Sequence, residues 1–366
     1  MHETVNSIFR SAFQAKLIDP SKLNRKQRKA FDDICKCKTL ENGLHIDRCD
    51  SCGHELIHYN SCKNPCCPLC QAVEKEIWSM KQEFYVLNTH YFHVVFTLPS
   101  EINTLALIDP KLVYTLLFDC SAETLKQLSE DPQYLGAKIG FTSVLHTWGS
   151  NLSLHPHVHC VVSGGGTDRM GRWKSSKKKF FIPVKVMSAL FKGKYLSRLK
   201  SSFDSDKLDN PDDFQKIIDQ CYAKDWVVYT KKPMKDPSHV IRYLSRYTHR
   251  IAISNQRIIS YTDGIVTFRY KDYRDHSKLK EMSLTVQEFF RRFMMHVPPH
   301  QFMRIRHYGF LGNRNKDERM KLLRSLTNTP DPGIFKLDMV KVISRVLKKD
   351  VSICPCCGNL RHPLLE

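Results

Sequence analysis

No run of apolar residues in this 366-residue chain approaches the roughly 20 that a bilayer span requires. The N-terminal stretch MHETVNSIFRSAFQAKL also lacks the apolar core of a secretory signal. Together these absences lead to the expectation of a cytoplasmic protein with no membrane partner. Acid is scarce: Asp plus Glu number 37 against 57 Lys plus Arg, a formal net charge of +20. That excess exceeds what solubility needs, so the natural partner is a polyanion, most commonly nucleic acid. An ATP-driven motor is excluded, because GTDRMGR at Gly166–Arg172 has the glycine spacing of a P-loop without its Lys and Ser/Thr. Neither an internal repeat nor a long low-complexity tract is present. With apolar residues at 42%, a real core can form and wholesale disorder is excluded.

Cysteine, by contrast, is plentiful, with 14 residues. Disulfides are rare in the cytosol, so clustered cysteines there point to metal. Cys35, Cys37, Cys49, Cys52, Cys62, Cys66, Cys67 and Cys70 form one cluster, and Cys354, Cys356 and Cys357 form another. CDSC at Cys49–Cys52 and CPLC at Cys67–Cys70 are C-x2-C knuckles separated by 14 residues. Two knuckles complete a tetrahedral thiolate shell, so a structural zinc is expected on Cys49, Cys52, Cys67 and Cys70. Cys37, His45, Cys62 and Cys66 could fill a second tetrahedron, giving one or two zinc ions, with Cys35 left out. CPCCG at Cys354–Gly358, near His362, is a single knuckle. It borrows ligands from elsewhere in the chain or from another subunit, or binds nothing. Cys120, Cys160 and Cys221 stand alone and read as small buried apolar residues.

Residues 1–34 read as helical, and 35–71 show no sustained period. A helix is expected from Gln71 to about Asn88, then a strand at YFHVVFTLP ended by Pro99. Residues 102–130 read as helical. GFTSVLHTW and VHCVVSG read as strands joined by a loop, and KFFIPV and DWVVYT as short strands. Asp236 and Pro237 open a helix as N-cap and first residue. RIISYTDGIVTFRY is a hairpin turning at Asp263-Gly264. Thr285 and Glu288 resemble a capping box opening a helix to about His296. The pattern suggests an α+β fold on a mainly antiparallel sheet. Its expected parts are a helical and zinc-binding N-terminal region (1–88), a catalytic domain (89–300) and a basic helical C-terminal region (301–366).

The densest chemistry lies in LHPHVHCVVSGGG, from Leu154. His155 precedes Pro156 and fits a loop or a strand entry. Side chains alternate along a strand, so His157 and His159 share a face with Val161, while Val158 and Cys160 face away. Two imidazoles on one face offer two metal ligands and leave room for a third and for substrate. Zinc hydrolases of the H-x-H-x-D-H kind are excluded, because no aspartate follows in register. Further along, YLSRY places Tyr243 and Tyr247 one helical turn apart on one face. His239 lies on the same stripe a turn earlier. Arg242, Arg246 and Arg250 crowd this helix, and positive charge lets a phenol lose its proton more easily than its usual pKa of about 10 implies.

A His-hydrophobic-His strand followed by a Tyr-x3-Tyr helix resembles the HUH superfamily of single-strand DNA nucleases. CDSCGHELIHYNSCKNPCCPLCQ, FHVVFTLP, LHTWGSNLSLHPHVHCVVSGGG, RYLSRYTHRIAISN and RIRHYGFL occur in the order seen in bacterial rolling-circle insertion-sequence transposases of the two-tyrosine type, which carry an N-terminal zinc-binding domain. The resemblance runs from about Cys37 to Cys357. One departure is Cys66, where the family pattern has a histidine. The resemblance implies a central antiparallel sheet flanked by helices, with the histidine strand in its middle. It implies a divalent ion, Mg²⁺ or Mn²⁺, on His157, His159 and a third polar side chain, for which His239 is the candidate. It further implies that Tyr243 or Tyr247 attacks the scissile phosphate of single-stranded DNA at the ends of a mobile element, giving a 5′-phosphotyrosyl enzyme. Arg242, Arg246 and Arg250 would contact the DNA. The rival readings are a zinc-dependent DNA-binding regulator without catalysis and a plasmid replication initiator or relaxase of the same superfamily. The zinc-binding segment and the missing P-loop favour the transposase.

Overall fold

The computed structural model describes residues 3–177, 182–234, 252–273 and 275–360. Its centre is an antiparallel sheet of β3 (Tyr91–Thr97), β4 (Lys138–Trp148), β5 (Leu154–Thr167), β7 (Val228–Met234) and β11 (Ile305–Gly309). The strands run in the order β11-β4-β5-β3-β7, and the short β6 (Trp173–Ser175) pairs with β5. The histidine strand β5 thus lies in the middle, and the fold is α+β around a central antiparallel sheet, as expected. A tight turn with the Gly149 N–H donating to the Ser153 carbonyl at 2.9 Å joins β4 to β5.

Alternation decides what each sheet face meets. Val158, Cys160 and Val162 of β5, with Phe92, Val94 and Phe96 of β3, point into the main core. There they meet helices α4 (Asn103–Ile108), α5 (Pro110–Glu130), α6 (Val184–Ser202) and α7 (Asp212–Ala223) through residues such as Phe118, Phe191 and Ile218. Helix α5 begins where Asp109 caps the Leu112 N–H and Pro110 supplies a first residue that needs no N–H. The opposite face carries the histidines. Part of it is covered by Trp78 of α3 (Gln71–Phe84), which packs on Tyr91 and Val161.

A second core joins distant parts of the chain. Helices α1 (Val5–Gln14) and α2 (Arg25–Lys36) pack against α8 (Val286–Met295) and a three-stranded sheet, in the order β10-β9-β8. Those strands are β8 (Ile258–Thr262), β9 (Ile265–Asp272) and β10 (Lys278–Thr285). Phe9 makes edge-on contacts with Phe290 and Phe293 at ring-centroid distances of 5.3 and 5.2 Å. Asn24 caps α2 in a capping box with Gln27, and the Gln27 amide donates to the Met294 carbonyl at 3.0 Å, tying α2 to α8. The N-terminal helices therefore share a core with residues 252–297.

The remaining elements are a hairpin of β1 (Leu44–Arg48) and β2 (Glu55–Tyr59), and two C-terminal helices, α9 (Lys316–Leu326) and α10 (Met339–Leu347). Sequence periodicity did not predict β1 and β2. In β1 the apolar Leu44 and Ile46 are exposed while Asp47 is buried against His58 at 3.3 Å, so the polarity pattern is inverted. Among the described residues no helix is long and apolar enough to cross a membrane.

Candidate active site and metal centres

The antiparallel register arranges the histidine-bearing sheet face in rows. His146 of β4 is directly opposite His157 of β5. One row further, Val144, His159, Val95 and Tyr229 align across four strands. The next row brings together Thr142, Val161, His93 and Lys231. As alternation requires, His157 and His159 share this face. The structure adds His146: the ligand nitrogens of His146, His157 and His159 all lie within 4.8 Å of one another. The three rings meet edge to face, His146 to His159 at 4.6 Å and His157 to His159 at 4.9 Å.

Hydrogen bonds orient these rings. His157 Nδ1 lies 2.6 Å from the His155 carbonyl oxygen. A carbonyl only accepts, so Nδ1 carries the proton and Nε2 keeps the lone pair a cation needs. His159 Nδ1 pairs with His93 Nε2 at 2.8 Å, so a ligand role for His159 falls to Nε2. His93 is thus a support behind the strand histidine, the usual arrangement at a metal-binding imidazole. Trp148 stacks on His146 at 4.5 Å and fixes its ring plane. Burial pushes the pKa of His157 and of His93 down to about 4, and that of His159 well below the usual imidazole value. In His93 the charge of Lys231 acts in the same direction. These three imidazoles are therefore neutral near pH 7, as ligands must be.

His146 and His93 were not predicted as site residues, although both lie on strands read from the sequence. The signal for His146 was its position across the β4–β5 turn from His157. Tyr243, Tyr247, His239, Arg242, Arg246 and Arg250 lie outside the described residues, as do Asp236 and His362. The described chain stops at Met234, which pairs with Tyr91 of β3, and resumes at Ala252, buried in the second core with Leu152 just before β5.

The cysteines form two groups, and the structure corrects the pairing expected from spacing. Cys67 and Cys70 meet Cys37 and Cys62, whereas Cys49 and Cys52 meet Cys354 and Cys357. Within each group the four sulfurs lie within 4.8 Å of one another. The hairpin β1–β2 carries Cys49 and Cys52 away from the other knuckle, so the two knuckles do not share one ion. His45 is in neither group; it stacks on His58 at 5.2 Å and pairs with Asn60 Oδ1 at 3.0 Å. Cys66 is also outside both groups, buried in the second core, where burial pushes its thiol up to about 11. Cys35 remains outside, as expected.

Residues 140–319 match the family model described as "Putative transposase", and residues 8–98 match the model described as "Transposase zinc-binding domain". The chain is 41% identical over 371 aligned residues to "Putative transposase y4qJ" of Sinorhizobium fredii, covering 96% of this chain and 92% of that protein. It is 28% identical over 355 residues to "Transposase for insertion sequence element IS801" of Pseudomonas savastanoi pv. phaseolicola, covering 94% of this chain and 85% of the relative. No solved structure matches it significantly. A zinc-binding segment built on clustered cysteines and a match over nearly its whole length to named transposases place this chain in the family of insertion-sequence transposases with an N-terminal zinc-binding domain.

Proposed function

We propose that this transposase cuts and rejoins single-stranded DNA at the ends of a mobile element through a 5′-phosphotyrosyl intermediate. The observation that carries this reading is the trio His146, His157 and His159 on one face of the central sheet. Three imidazoles can hold one divalent ion, with phosphate oxygens completing its shell, and the nitrogen donors favour Mn²⁺ over Mg²⁺. Such an ion, when bound, would polarise the scissile phosphate and orient it.

The chain's own residues supply the rest. Tyr243 or Tyr247 forms a bond from its phenolic oxygen to phosphorus, and the bond to the 3′-oxygen breaks. The phenol gives up its proton, and the departing 3′-oxygen takes one up. The energy of the phosphodiester is kept in the protein–DNA bond, so rejoining needs no ATP. Arg242, Arg246 and Arg250 favour the phenolate and hold the DNA backbone. The second tyrosine allows a second cleavage while the first 5′ end is still attached. His146 takes the third place for which His239 was the candidate. In the Cys37, Cys62, Cys67 and Cys70 group a bound zinc would be closed to substrate and structural.

The test is incubation with Mn²⁺ and single-stranded oligonucleotides copied from the DNA flanking the coding sequence. The wild type should form a covalent protein–DNA adduct that survives denaturation, and the Tyr243→Phe/Tyr247→Phe double variant should form none. An adduct in the double variant would place the nucleophile elsewhere.

A further inference from the structure

The transposase match ends at residue 319 and the zinc-binding match at residue 98, so neither reaches the C-terminal knuckle. We propose that Cys49, Cys52, Cys354 and Cys357 form a second tetrathiolate zinc site that clasps the C-terminal arm to the N-terminal hairpin. Cys49 Sγ lies 3.7 Å from Cys357 Sγ, and Cys52 Sγ lies 3.8 Å from Cys354 Sγ. A regular tetrahedron with zinc–sulfur bonds of about 2.3 Å has sulfur–sulfur edges of about 3.8 Å. None of these cysteines forms a disulfide.

The two arms have the same local architecture. In the first, the Cys49 N–H donates to the His54 carbonyl at 2.9 Å and the Gly53 N–H to the Cys49 carbonyl at 2.8 Å. In the second, the Cys354 N–H donates to the Asn359 carbonyl at 2.9 Å and the Gly358 N–H to the Cys354 carbonyl at 3.0 Å. Each turn closes on a glycine in the left-handed region, Gly53 at φ +69° and Gly358 at φ +75°, where a Cβ would be strained. The Cys356 N–H also donates to Cys354 Sγ at 3.4 Å, which suits a thiolate. CDSCG and CPCCG are therefore two C-x2-C-G knuckles facing each other, whereas CPLCQ at Cys67 lacks the glycine.

The clasp would add to the packing of the arm, in which Val342 and Val351 are buried. Cys52 and Cys357 are exposed, and so are the neighbouring Ile353 and Leu360, which form a single bridge that closes the C-terminal knuckle. Helix α10 approaches α3, where Arg345 pairs with Glu76 at 3.1 Å. An exposed ion pair adds little on its own. Four soft thiolates with no carboxylate favour zinc over Mg²⁺ or Mn²⁺. On binding, four thiols release four protons to solvent and the sulfurs take up one Zn²⁺, with no change of oxidation state.

The test uses the full chain and counts zinc by atomic emission after exhaustive dialysis. The wild type should hold two zinc ions. Cys354→Ser/Cys357→Ser should hold one, Cys49→Ser/Cys52→Ser should hold one, and the four substitutions together should still leave one. Limited proteolysis should release the C-terminal arm from either pair variant but not from the wild type. Two zinc ions in the Cys354→Ser/Cys357→Ser protein would overturn the proposal, as would a single ion in the wild type. Cadmium NMR of the wild type, which requires no variant to fold, should give two signals in the four-sulfur range; one such signal would contradict the clasp.

Discussion

At the scale of single residues, the site rests on imidazoles held neutral by burial and aimed by their neighbours. Alanine at His157 or His159 should abolish metal-dependent cleavage of single-stranded DNA while gel-shift affinity stays within a few-fold, because neither residue is asked to hold the DNA. His146→Ala should reduce cleavage as severely; wild-type rates in that variant would remove His146 from the trio. His93→Phe keeps a ring in the buried space but loses the 2.8 Å bond to His159. Loss of such a supporting bond typically costs 10–100-fold in metal affinity or activity. A titration of cleavage against Mn²⁺ should therefore show a raised metal requirement, and an unchanged requirement would reduce His93 to packing. His157 and His159 were legible because strand alternation is a local rule. His146 and His93 were not, because their role depends on register between strands, which turns and hydrogen-bond ladders set after the chain has folded.

At the scale of elements, the second core predicts where stability is concentrated. Phe9 is fully buried among aromatic rings of α2 and α8. Phe9→Ala should destabilise the protein by about 3–5 kcal/mol, read by denaturant unfolding. A loss below about 1 kcal/mol would mean that α1 does not dock on α8. Glu288, near the start of α8, is held down at about 2, first by its bonds to Arg291 and then by those to Arg292. A depressed carboxylate stabilises the fold above its unfolded pKa of about 4.3, and that contribution is lost as the pH falls toward 2. Solvent screening limits it to about 1 kcal/mol or less. Glu288→Gln should therefore flatten the fall in stability between about pH 4.3 and 2, and an unchanged acid slope would show that the pair contributes nothing. The Asp263-Gly264 turn was legible from its dipeptide: Thr262 pairs with Ile265, and both turn residues have positive φ. The β1–β2 hairpin was not, because its apolar side chains face outward and its acid faces in.

At the scale of the whole molecule, charge and metal dominate. A formal charge of +20 predicts DNA affinity that falls steeply with salt, with a log–log slope set by the phosphates neutralised. Arg242→Ala should make that slope shallower by about one, measured by fluorescence anisotropy; an unchanged slope would remove Arg242 from the DNA contacts. The zinc-binding character of the N-terminal segment was legible from its cysteines, but the partition of ligands was not. Proximity in sequence favoured joining Cys49 and Cys52 to Cys67 and Cys70, whereas Cys52 meets Cys354 across 302 residues. The usable sign was the shared C-x2-C-G turn, a matter of local backbone geometry and not of spacing. The central claim is tyrosine attack that leaves the protein on the 5′ side of the cut, and the polarity of the adduct tests it most directly. With Mn²⁺ and end-derived single-stranded DNA, a 3′-labelled strand should run with the denatured protein, while a 5′-labelled strand should appear as a shorter free fragment with a 3′-hydroxyl that a polymerase extends. Label carried on the protein from the 5′-labelled strand, or cleavage of both strands with no protein attached, would contradict the account.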